Sequence, residues 1–144
     1  MRVSYAVLIA LTAGLLAPAT APAQGQAPAP AAPAKRVGPQ RGVAELGHLK
    51  PTTKADAKSV VTTFQVKNLS QGAIVGLTIS EFWFDKANNP AQGTGDRQRL
   101  RTPLQPGDTA TVVLTSSRVP GMQRNVYQFA HANGEIKPRL LPKF

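Results

Sequence analysis

No cysteine occurs in the 144-residue sequence. Disulfides, thiolate metal sites and lipid attachment at an N-terminal Cys are therefore excluded, and the fold must rest on an ordinary hydrophobic core. Histidine is nearly as scarce, with only His48 and His131. A zinc site needs three or four ligands, some closely spaced, and two isolated histidines with scattered acids do not provide them. No metal or other cofactor is expected. His131 shares a strand face with Tyr127 and Phe129, which predicts a packed or half-exposed imidazole. Aromatic residues make up 6% of the chain against 13 prolines and 12 glycines, so a fair part of it should be loop or linker. Acids are few as well: 7 against 17 Lys and Arg, a net charge of +10. Such basicity favours anionic partners and also simply keeps a small domain soluble.

Catalytic motifs are missing too. No G-x-S-x-G elbow accompanies Ser116 or Ser117, and "GTGD" has neither the spacing nor the following helix of a phosphate loop. Asp85, Asp96 and Asp108 fall at strand ends, where turn-forming acids commonly lie. Glu81 is the one acid inside an apolar run. We read it as a solvated residue on an outward face or at a bulge, in preference to a catalytic acid with a raised pKa. An enzyme is not expected, and a hydrolase using Glu81 is the least favoured reading.

Turning to what is present, residues 1–23 combine Arg2, an apolar run from about Val3 to Ala17, and small residues at Ala21-Pro22-Ala23. This is the layout of a cleaved secretory signal, with an apolar core shorter than the roughly 20 residues a spanning helix needs. No transmembrane span is expected after its removal, and the protein is expected to be periplasmic or secreted. Residues 24–42, "QGQAPAPAAPAKRVGPQRG", hold almost no large apolar side chain and predict a disordered Pro/Ala-rich linker. Residues 43–144 then form the folded domain.

That domain reads as strands punctuated by turns. "SVVTTFQVKNLS" (59–70), "AIVGLTISEFWFD" (73–85), "DRQRLRTPL" (96–104), "TATVVLTSS" (109–117), "NVYQFAHA" (125–132) and "EIKPRLL" (135–141) are six candidates, with "VAELGHLKP" (43–51) a weaker seventh. Asn133-Gly134 predicts a type I′ hairpin between the last two, and Pro138 a sheet edge or an interrupted ladder. Seven short strands without a helix, over about 100 residues, imply an all-β, antiparallel, immunoglobulin-like sandwich.

The successive segments "VVTTFQVKNLS", "IVGLTISEFWFDKANNP", "LQPGDTATVVL" and "VYQFAHANGEI" resemble the strands of the FxLYD-type domain, a small sandwich of exported bacterial proteins. The similarity covers roughly residues 58–138. Its sharpest pieces are Val66-Lys67-Asn68-x-Ser70, the aromatic-Asp end of the second strand, and Leu104-x-Pro106-Gly107-Asp108. In the naming motif Asp85 matches, Phe84 replaces Tyr, Trp83 replaces Leu, and Glu81 stands where Phe is expected. The resemblance implies a binding or structural module without a common catalytic site. Asn68-Leu69-Ser70 is formally a glycosylation sequon, which the resemblance to bacterial domains implies is not used.

The strongest surface signal is "DRQRLRT". On an extended strand Arg97, Arg99 and Arg101 project from one face, about 6 to 7 Å apart, placed to fork onto phosphates or carboxylates. The alternative is a charged edge strand that discourages aggregation. Alternation puts Trp83 in the core with Val75, Leu77 and Ile79, and Phe82 and Phe84 on the opposite face. The expected function is a non-enzymatic exported module for binding or scaffolding an envelope or extracellular component, through Arg97, Arg99, Arg101, Phe82 and Phe84. The alternative is an electrostatic binder of polyanions such as anionic lipid, wall polymer or extracellular DNA. Nucleic acid is the less favoured partner, because the aromatics are not interleaved with the basic residues in sequence.

Overall fold

The computed structural model describes residues 36–144. The expected signal peptide and residues 24–35 of the expected linker lie outside them. Among the described residues all regular structure is strand: β1 (Ala44–His48), β2 (Thr52–Ala55), β3 (Ser59–Asn68), β4 (Thr78–Phe84), β5 (Asp96–Arg99), β6 (Thr109–Ser117), β7 (Arg124–His131) and β8 (Gly134–Leu140). There is thus no helix to cross a membrane among these residues.

Alternation decides which way each strand faces. In β3 the inward set is Val60, Thr62, Phe64, Val66 and Asn68, and in β6 it is Val112, Leu114 and Ser116. The two run antiparallel from Ser59 opposite Ser117 to Lys67 opposite Thr109. The other flank of β3 is shared by β2 along its first half and β1 at its end. β1 then pairs in parallel with β8. β8 meets β7 only at Ala130 opposite Glu135 and His131 opposite Gly134, and β4 and β5 complete the order.

The eight-stranded sheet curls on itself, so that β6, β3 and β1 face β7 and β4 across the interior. Phe64 is its centre. The ring is fully buried and meets Tyr127 edge-on at 4.6 Å and Phe129 edge-on at 5.8 Å, while His48 stacks on Phe129 at 5.5 Å. Full burial of one such ring contributes about 1.5 to 3 kcal/mol.

The all-β, sandwich-type expectation therefore holds, with two refinements. β2 is an additional strand, and the β1–β8 pairing is parallel, so the sheet is mixed. The segment 73–85 is not one strand: Gly76, with φ 63°, turns the chain between an isolated bridge at Ile74–Leu104 and β4. The β7–β8 hairpin forms, but Ala132 and Asn133 link the strands and Gly134 is already paired. Residues 37–42, assigned to the linker from sequence, bond to the domain: Gln40 N–H to Ala73 O at 2.8 Å, Ala73 N–H to Gly38 O at 2.9 Å and Gly42 N–H to Asn133 O at 3.0 Å. The hydrogen-bonded domain thus begins ahead of Val43.

Candidate binding face and the buried Glu81 cluster

Directly opposed residues of neighbouring strands point to the same side of a sheet. On the outward side of β5, β4 and β7, the register builds one row from Arg97, Ser80 and Gln128 and a second from Arg99, Thr78 and Ala130. Along β4 the next pairs are Phe82 with Val126 and Phe84 with Arg124. Small residues thus form a floor between larger ones. The result is a trough of about 560 Å³ over Thr78, Ser80 and Ala130, flanked by Arg97 and Gln128 and bounded by Phe82.

Gly95 opens this trough. Its φ of 93° suits glycine, and a Cβ there would come within 2.5 Å of the Glu81 carbonyl oxygen, so a side chain would drive β5 away from β4. Asp96 follows at the rim. Its Oδ1 accepts the Arg97 N–H at 2.6 Å, and its Oδ2 accepts the Gln98 amide at 3.1 Å and the Thr115 N–H of β6 at 2.7 Å. Partial burial pushes this carboxyl up, but the bonds from Thr115, Gln98 and Arg97 outweigh it and hold it below the usual carboxylate range.

Of the five residues proposed from sequence, the register brings four to this face. Phe82 is 47% exposed and open. Phe84 is half-buried, with the Arg124 guanidinium 5.2 Å from its ring centre and Pro90 bridged to its backbone. Arg97 and Arg99 both stand on β5. Arg101 does not: β5 ends at Arg99, Leu100 N–H bonds to Leu77 O at 2.8 Å and its side chain packs against the core, and the chain bends at Arg101. Among the described residues the ion pair present is Arg139–Glu45 at 3.6 Å, so these arginines carry uncompensated charge. Sequence reading missed Ser80, Gln128, Asp96 and Arg124, whose place depends on the pairing of β4 with both neighbours.

Glu81 requires a correction. It is 1% exposed, where a solvated acid was expected. The pairing of β4 advances one residue at a time from Thr78 to Phe84, so no bulge turns it outward. It is held inside by polar groups that the other strands aim at it. Thr62 Oγ1 donates to Oε1 at 2.8 Å, Asn125 Nδ2 to Oε1 at 3.0 Å, and Ser116 Oγ to Oε2 at 2.6 Å. A buried polar group is tolerated when so satisfied. The adjacent Tyr127 hydroxyl is shifted upward by burial and by the Glu81 charge.

Trp83 does point inward, but it is half-buried at the end of the interior, beside Val60, Arg118 and Met122; Phe64 takes the central position expected for it. The indole Nε1–H is buried without a partner. His131 is 8% exposed, with Nε2 2.9 Å from Gly42 O, so it is a packed imidazole that pins the residues leading into β1. Among the described residues no three His, Asp or Glu gather as a metal site.

The Asn68 amide is also structural. It is buried, donates to Gly72 O at 2.9 Å and Leu104 O at 2.8 Å, and accepts the Ser70 N–H at 2.8 Å. The Asn68 carbonyl accepts the Gly107 N–H at 2.9 Å. The segments 66–70 and 104–108 are thereby tied together. No family model matches the chain, and no curated protein matches it significantly.

Proposed function

We infer that this protein is a non-enzymatic exported module of the bacterial envelope or extracellular space, and that it binds or scaffolds a partner through the outward face of β5, β4 and β7. One observation carries the reading: the register places Arg97 and the exposed Phe82 around one trough, with Arg99 further along β5 on the same face. Exposed aromatic and guanidinium groups are the side chains that contribute most at protein contact surfaces. The burial of Glu81, with both carboxyl oxygens already accepting hydrogen bonds, speaks against its use on a substrate.

The test is retention of material from the native envelope on the immobilised full chain. An Arg97→Ser/Phe82→Ser variant should lose what the native protein retains, whereas a control Lys54→Ser variant on exposed β2 should not. Equal retention by all three would overturn the face assignment. That the arginines meet no carboxylate partner among the described residues favours a second reading, an electrostatic polyanion binder. For that reading affinity must fall steeply with added salt.

A further inference from the structure

Resting on that face as the contact surface, we propose that its trough accepts a sugar ring of a carboxylate-bearing polysaccharide. The lining divides into three chemistries. Phe82 offers an open apolar ring as one wall, suited to the C–H face of a pyranose. Ser80 and Gln128 lie opposite one another across β4 and β7, and both can donate as well as accept, as ring hydroxyls require. Arg97 faces Ser80 from the other side, so its guanidinium can take a sugar carboxylate with two parallel hydrogen bonds. Arg99, about 6 to 7 Å further along β5, lies outside the trough with its guanidinium over Gly76.

The lining of the trough separates this ligand from a nucleic acid or polyphosphate. Asp96 puts no acid into it: opposed to the inward Glu81, its carboxyl turns to the other side of the sheet, where Thr115 of β6 donates to it. Polyphosphate has no apolar face to lay on the exposed Phe82 ring. The floor of Thr78, Ser80 and Ala130 is also too small-featured to stack successive bases, and Phe84 is already covered by Arg124.

The experiment is affinity electrophoresis of the full chain through polygalacturonate, methyl-esterified polygalacturonate, dextran, an oligothymidylate and inorganic polyphosphate, at about 0.15 M salt, where charges further apart than roughly 8 Å are screened. Polygalacturonate should retard the protein most. Esterification, Arg97→Ser and Phe82→Ala should each weaken that retardation about tenfold, with unchanged far-ultraviolet dichroism. Tighter binding to oligothymidylate or polyphosphate would overturn the ligand class, as would an unaltered response in Phe82→Ala, which marks attraction by charge alone. So would equal binding to dextran. If none of these polymers responds to Phe82 or Arg97 while envelope retention does, the sugar proposal fails and the face remains. If retention is also indifferent to both, the face fails with it.

Discussion

Ser116 of β6 donates a 2.6 Å hydrogen bond to Oε2 of Glu81 of β4, joining two strands that are not neighbours in the curled sheet through its interior. With Thr62 and Asn125 on the other oxygen, removal of the carboxyl leaves three donors facing an apolar void. Glu81→Ala should therefore destabilise the domain by about 3 kcal/mol and lower the melting temperature by more than ~10 °C. Glu81→Gln retains an acceptor for Thr62 and Asn125 and offers Ser116 a donor, so its loss should stay below about 5 °C. Calorimetry of both variants checks this; similar small losses would show that the cluster does not support the fold.

The arginines should behave in the opposite way. Arg97, Arg99 and Arg101 are exposed and make no ion pair among the described residues. Changing all three to Ser should shift stability by no more than about 0.5 kcal/mol. A loss of several degrees in the melting temperature would make them structural residues rather than a contact surface.

Gly95 permits a test that removes no functional side chain. In Gly95→Ala the new Cβ meets the Glu81 carbonyl oxygen at a backbone position that L side chains rarely adopt, a combined strain of about 2 kcal/mol or more. β5 should lift from β4, with amide exchange rising at Arg97 and Arg99. Binding through the trough should fall although Arg97, Ser80 and Phe82 are all present. Unaltered exchange would show that the close approach is relieved elsewhere.

Asp96 makes the closure between β5 and β6 sensitive to acid. Its folded carboxyl is held below the usual range, so the stabilisation is fully present above the ordinary carboxylate pKa of about 3.9 and is lost as pH falls through the lower folded value. Protection of the Thr115 amide, which donates to Asp96 at 2.7 Å, should therefore decline below about pH 4. In Asp96→Asn that dependence should vanish. A protection profile that is flat in the native protein would remove Asp96 from the closure.

Period-two alternation made the strands legible, because a half-buried strand must write its two faces into alternate positions. It also put Phe82 and Phe84 opposite Trp83. It could not show that Glu81 belongs to the inward set. An acid among Leu77, Ile79 and Trp83 breaks the apolar pattern, and the reasons it is tolerated, Thr62, Ser116 and Asn125, come from three other strands. The trough was unreadable for the same reason: Arg97 and Gln128 are far apart in sequence and become neighbours only through Ser80. β2 escaped notice because all four of its residues are exposed, leaving no alternation to find.

Pro138 has a consequence at the other side of the molecule. Leu141 N–H donates to His48 O, so Arg139 and Lys137 aim their N–H groups the same way, toward β1, while Ile136, Pro138 and Leu140 face away. Beyond Glu135 that outer flank of β8 has no partner strand among the described residues. An incoming chain attempting to extend the sheet there would find its middle donor absent, with Lys137 and Arg139 on either side. One imino acid thus blunts the exposed end of a parallel ladder and guards a basic, cysteine-free domain against zipping onto copies of itself.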